Sequence, residues 1–178
     1  MFQKIKDYFL NKYLTDNKPD RKPKLVSMAQ ARSIGILCEI TNEDSYKSIF
    51  HIFTRLQESG RNVKLIGYVN DKEVPFYCLP QLTADYFSNK HLNWFGLPNM
   101  VQIQDFLKVD YDMVIDFNYR YNAPIKAILS LTHAQFIVGR MPDCGKLYDL
   151  YLDCLECDNL KYLEAIHKYT QKLSGNDR

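Results

Sequence analysis

The chain has 178 residues, 46% of them hydrophobic and 25% charged, and carries a net charge of +2. That is the composition of a soluble globular protein of one domain, long enough to bury a core without disulfide or metal. No apolar run approaches the roughly 18 residues of a membrane span, and Lys4, Lys6 and Asp7 stand where a signal peptide would have its apolar core.

The charge is unevenly spread. Residues 1–24 hold seven Lys or Arg against three Asp, a net of +4, which leaves −2 for the rest. A mildly acidic body is not a nucleic-acid-binding surface, so no nucleic-acid partner is expected. Five cysteines, an odd number without a regular framework, fit a reducing compartment and a cytoplasmic location.

In chain order, residues 2–14 read as an amphipathic helix with Phe2, Ile5, Phe9 and Tyr13 on one stripe. Two prolines and dense charge over 15–24 read as a linker or extended arm. The division expected is a basic leader and linker over 1–24 and a single α/β domain over 25–178. Three readings stay open for the leader: docking on its own domain, resting on an anionic membrane surface through residues 1–14, or meeting a partner or second subunit.

Ile34 to Ile40 is a nearly continuous apolar run, as in a central parallel strand covered on both faces. Thr41, Asn42, Glu43 and Asp44 offer a helix cap and early acidic charge. A helix follows to about Ser59, with Tyr46, Ile49, Phe50, Phe53 and Leu56 facing inward and Gly60 placed to end it. Val63 to Val69 is the second strand, reached by a right-handed crossover.

Residues 70–100 are less regular. A short strand is read at Val74 to Cys78, a loop with a short strand at Phe87 to Pro98, and a short helix around Ile103, Phe106 and Leu107. Tyr111 to Phe117 is the next strand, Pro124 to Thr132 a helix, and Ala134 to Val138 the strand after it. Leu147 to Leu152 alternates and reads as an edge strand, with antiparallel pairing allowed for. Leu160, Leu163, Ile166, His167 and Tyr169 mark the last helix. The fold class is therefore α/β: one three-layer, open, mostly parallel Rossmann-like sheet with helices on both faces and an N-terminal amphipathic helix.

In such sheets ligands bind beyond the carboxyl ends of the strands, where strand order reverses. The residues placed there are Glu39, Asn42, Asp116, Asn118, Arg120 and Arg140, with Trp94 and Phe95 as a rim. Against this stands the plainer reading, favoured on frequency, that these residues cap helices and close turns, and that Trp94 and Phe95 plug the edge of a core. There is no G-x-G-x-x-G after the first strand, no G-x-x-x-x-G-K-[ST] and no G-x-S-x-G, so dinucleotide, P-loop and elbow-serine chemistry are rejected. Glu39 and Asp116 are considered as a Mg²⁺ pair and set aside for want of further acids. Cys154 and Cys157 form a lone C-x-x-C; Asp153, Glu156 and Asp158 around it raise thiol pKa, which argues for a structural role over a redox one. The four histidines show no ligand spacing. No metal and no cofactor are expected.

Six segments, the basic leader among them, resemble a family of small bacterial proteins of unknown function across nearly the whole chain: Ala31–Leu37, Leu92–Pro98, Tyr111–Asp116, Ala134–Arg140 and Tyr148–Asp153 carry the likeness with it. The resemblance implies an intracellular α/β protein and no known activity, so it lends no functional residue. A more local likeness, over about residues 109–140, is to the N-terminal half of heptosyltransferase-type glycosyltransferases. The chain ends at Arg178, without their second, donor-binding domain, so a stand-alone transferase is not expected. The leading expectation is a non-catalytic accessory module that binds a protein partner or small polar ligand. The alternative is a transferase-like enzyme on a sugar or phosphorylated metabolite, with Asp116 as base or metal ligand.

Overall fold

The structure, a computed structural model, describes residues 2–154 and 157–175. Six strands, β1 (Ser33–Glu39), β2 (Asn62–Val69), β3 (Ala84–Ser88), β4 (Tyr111–Asp116), β5 (Ala134–Gly139) and β6 (Leu150–Tyr151), form one sheet in the order β3-β2-β1-β4-β5-β6. Every pairing is parallel. Helices α1 (Phe2–Asp16), α2 (Glu43–Glu58), α3 (Met100–Leu107), α4 (Ala123–Leu131) and α5 (Asn159–Gly175) surround it. None of the described helices is long and apolar enough to cross a membrane.

The two faces follow from strand alternation. Ile34, Ile36 and Cys38 of β1 point into a core with Ile49, Ile52 and Phe53 of α2 and Tyr162 and Ile166 of α5. Leu37 points the other way, into a core with Ile103 and Phe106 of α3 and Ile125 and Ile128 of α4. Both faces of the central strands are thus dry, which is why they are apolar at nearly every position. Order reverses between β1 and β4, and that junction sets the site.

Several expectations change here. The stretch Val74 to Cys78 makes turns, not a strand; Pro75 has no N–H for a ladder, and the third strand lies later, at Ala84–Ser88. After it, a 3-10 turn and a single bridge between Leu92 and Pro98 shape the Trp94 loop. The edge strand is only Leu150–Tyr151 and runs parallel to β5, not antiparallel; residues Pro142–Leu147 before it wind into a 3-10 helix. In α5 the buried residues are Tyr162, Ile166 and Thr170, while Leu160 and Tyr169 are exposed.

The leader helix turns a different face inward from the one predicted. Leu10 and Leu14 are buried against Leu97, Ala127 and Leu131, whereas Phe2, Ile5 and Phe9 are exposed. A 15-residue helix is marginal alone. Burying the two leucines stabilises it by roughly 1.5–3 kcal/mol each as an upper bound. Trp94 and Phe95 belong to this contact: the Trp94 ring lies 5.2 Å from Phe9, and Phe95 lies 6.4 Å from Tyr13.

The arm that follows covers the side of β5 that the short β6 leaves open. Lys24 N–H donates to Gln135 O at 2.9 Å, and Arg21 Nε to Ala134 O at 2.9 Å. Arg21 also pairs with Asp149, whose carboxylate accepts the Ile137 N–H at 2.8 Å. At the N-terminal end of the sheet, Asp112 accepts the backbone N–H groups of Arg32 and Ser33 at 2.9 and 3.0 Å.

Two glycines are required for opposite reasons. Gly60, with φ +82°, ends α2 in the left-handed region with open space around it. At Gly139 the backbone is ordinary, but a Cβ would stand 2.1 Å from ring atoms of Tyr148. Gly139→Ala is therefore expected to cost about 1–3 kcal/mol or more in urea unfolding, through overpacking. Gly60→Ala is expected to cost about 1–2 kcal/mol, through backbone conformation alone.

Candidate functional site

A cleft of about 340 Å³ opens at the carboxyl ends of β1 and β4, lined chiefly by Glu39, Thr41, Asn70, Asn118, Arg120 and Asn159. It sits where strand order reverses, as an open α/β sheet dictates. A roomier hollow of about 480 Å³ lies between the arm and α4, lined by Lys18, Asp20, Arg21 and Leu129. Topology and chemistry favour the strand-end cleft, because the arm hollow is built from packing against a charged linker.

Asp116 ends β4 and is fully buried, outside the cleft lining. Its Oδ1 accepts the Asn118 backbone N–H at 3.0 Å and the Asn118 side-chain amide; its Oδ2 accepts the Tyr148 hydroxyl at 2.6 Å. Asn118 Oδ1 in turn accepts the Glu39 N–H at 2.7 Å. The chain Tyr148–Asp116–Asn118–Glu39 thus ties the end of β4 to the end of β1. Gly139 lets the Tyr148 ring lie on β5 and reach the carboxylate. Both oxygens of Asp116 are taken, so it does not join Glu39 as a metal pair. Burial pushes its pKa above the ordinary 3.8, against the lowering pull of Tyr148, Asn118 and Arg140.

Arg140, just past β5, is also buried. Nε and Nη2 donate to Phe117 O at 3.2 and 2.7 Å, Nη1 to Cys154 O and Cys157 O at 3.4 and 3.0 Å, and Nη2 to Asn159 Oδ1 at 2.8 Å. The Tyr162 ring centre lies 4.5 Å from the guanidinium. All five donors are occupied, so Arg140 is a joint of the fold more than a hand for a ligand.

The structure brings Glu39, Asn118 and Arg120 together on the cleft and leaves Asn42, Asp116 and Arg140 out of its lining. Asn42 is the N-cap of α2: its side chain accepts the Ser45 N–H at 2.8 Å while Ser45 Oγ accepts the Asn42 N–H at 3.1 Å. Trp94 and Phe95 sit under α1 and do not rim the cleft. Sequence reasoning missed Asn70, Asn159 and Tyr148. Asn70 directly follows β2, and that position was a usable signal; the other two arrive through tertiary packing alone.

The cleft holds no activated thiol. Cys38 borders it, and burial, helped by Asp116, pushes its thiol far up. Glu43 and Asp44 open α2, and its capping box occupies the Ser45 N–H, so phosphate is disfavoured at this helix end, where nucleotide-binding proteins with open parallel sheets hold it. Among the described residues no group of three or more His, Cys, Asp and Glu is placed to hold a metal ion.

Fold and cleft define an open parallel α/β protein with a polar pocket at its topological switch point. The chain belongs to a family of unknown function, DUF6913, whose profile matches residues 3–173. No curated protein and no solved structure matches it.

Asp116 gives a signed pH dependence. Its folded pKa lies above the unfolded value, so the native state holds the proton more tightly. The stability this contributes is fully present below the unfolded value of about 3.9 and is lost as pH rises through the folded pKa. Asp116→Asn keeps the shape without the titration. In urea unfolding at stepped pH, wild type should lose stability relative to the variant as pH rises from about 4; a constant difference would mean an ordinary carboxyl.

Proposed function

We propose that this chain is a non-catalytic binding module for a small polar ligand, seated in the strand-end cleft with an anionic group toward Arg120 and a hydroxyl or amino group toward Glu39. One observation carries the reading. Both side chains line the cleft, yet neither takes part in a hydrogen bond or ion pair among the described residues. Arg120 has only the Tyr119 ring, 5.5 Å away. Unspent charge of both signs in a concave polar site is what a ligand would satisfy. Binding is favoured over catalysis because the acid a transferase would need, Asp116, is sealed by Tyr148 and Asn118.

Thermal shift against amino acids, hydroxy acids, sugar phosphates and nucleotide-sugars tests it. At about 100 times Kd a ligand adds roughly 2.7 kcal/mol, a rise of about 5–10 °C for a chain of this size. Glu39→Gln and Arg120→Ala should each abolish the rise while leaving the unliganded midpoint in place. A rise that survives both variants would move the site elsewhere.

A second reading concerns α1. Phe2 is 73% exposed and Trp94 54%, and with Ile5 and Phe9 they make an apolar strip beside Lys4, Lys6 and Lys12. That pairing of aromatics and lysines suits a weak contact with an anionic membrane surface. Sedimentation with phosphatidylserine vesicles at low salt should be seen, fall with added salt, and vanish in a Phe2→Ser, Phe9→Ser variant. Equal sedimentation with neutral phosphatidylcholine vesicles, or none with either, would remove the idea.

A further inference from the structure

We propose that Cys154 and Cys157 form a reversible thiol–disulfide site that exchanges with small dithiols and, when reduced, holds Cys157 as a thiolate against Arg140. The two cysteines are joined as a disulfide, with Cα atoms 5.4 Å apart, and both are half-buried, open enough for a small thiol to reach. Arg140 Nη1 lies 3.9 Å from Cys157 Sγ. Each of its oxygen contacts is neutral: the carbonyls of Phe117, Cys154 and Cys157, and Asn159 Oδ1. Among the described residues no carboxylate stands within ion-pair distance of it. A buried guanidinium with no carboxylate paired to it stabilises an anion formed beside it, and reduction creates that anion. Cys157 also lies two residues before α5, at the positive end of a 17-residue helix.

The Asp158 carboxylate caps α5, accepting the Lys161 N–H at 2.8 Å with Lys161 Nζ 3.7 Å away. Asp153 is exposed. From the packed elements come Asp116 at the end of β4, whose carboxyl feels the guanidinium without pairing with it and which burial drives toward its neutral form, the Tyr162 and Tyr119 rings, 4.5 and 5.5 Å from the guanidinium, and neutral Ser48, which accepts from Asn159 at 3.2 Å. Glu156 lies outside the described residues. The arginine therefore opposes the acids that make this pair look inert in sequence.

In the exchange, one thiolate of a dithiol attacks Cys154 Sγ. A mixed disulfide forms there, the Cys154–Cys157 bond breaks, and Cys157 leaves with the electron pair; the more acidic thiol leaves faster. The second thiolate of the reagent closes on the first, releasing Cys154, which takes a proton from water. The reagent ends as its cyclic disulfide, oxidised by two electrons, and the protein ends as the dithiol.

The full chain is equilibrated in mixtures of reduced and oxidised dithiothreitol, then alkylated and analysed by mass spectrometry. Two labels at residues 154 and 157 should appear and disappear reversibly with the ratio, while buried Cys38, Cys78 and Cys144 stay unlabelled in the native protein. In Cys154→Ser, iodoacetamide labelling of Cys157 should reach half its maximal rate at least about one pH unit below 8.5. Arg140→Gln in that background should move the midpoint back up by about a unit; if that variant does not fold, the first pH profile decides alone. A midpoint at or above about 8.5, or a pair that stays in one state across all ratios, overturns the proposal.

Discussion

A guanidinium buried without a carboxylate beside it must have every N–H matched to a neutral acceptor, or the fold pays several kcal/mol for it. Arg140 meets that condition by drawing three separate segments to one point. The carbonyl at the end of β4, the carbonyls of Cys154 and Cys157, and the first residue of α5 all converge on it. Asn159 then reaches Ser48 on α2. The walls of the strand-end cleft are therefore hung from a single planar cation. Arg is suited to this and Lys is not, because only the fork presents five donors in fixed directions.

Charge in this protein divides into two populations. Asp116 and Arg140 are interior, fully partnered and architectural. Glu39 and Arg120 border solvent and are left unspent. The division follows from register: Asp116 pairs with Leu37, two residues short of the end of β1, so its side chain is still within the sheet layers, whereas Glu39 ends β1 and Arg120 follows β4 where the layers end. A buried acid with a raised pKa is a common sign of catalysis, yet here its oxygens are occupied by a tyrosine and an asparagine, and its function is to join two strand ends.

The parts of the fold that could be read in advance are those whose pattern is local. The nearly continuous apolar run at 34–40, the largely apolar strand at 111–117, the stripe from Ile49 to Leu56, and Gly60 after it lie where expected, because burial on two faces and a left-handed cap leave marks in neighbouring residues. What failed to show was set by distant partners. β3 carries a polar Asp85 and Tyr86 on a sheet edge, and Val74 to Cys78 looks more strand-like although Pro75 denies it a ladder. The leader helix presents a more aromatic face than the one it buries, and only the shape of the groove at Leu97, Ala127 and Leu131 selects Leu10 and Leu14. For the site, strand-end logic named Glu39, Asn118 and Arg120, which line the same cleft. It had no means of knowing that Tyr148 would claim Asp116, or that Arg140 would be spent on carbonyls.

The arm between α1 and the sheet has a consequence for how this protein should be handled. Lys24, Arg21 and Asp149 together occupy backbone groups of β5 that the two-residue β6 cannot reach. A truncation that begins the chain at residue 25 would look harmless, since it removes only a charged linker and a surface helix. It would also leave the Ala134 and Gln135 carbonyls of β5 facing water, and unpaired edge groups of this kind are the template on which a second chain adds a strand. The arm in this sense closes a strand edge from outside the sheet, and shortened versions of the protein are expected to offer that edge to a second chain before they lose their core.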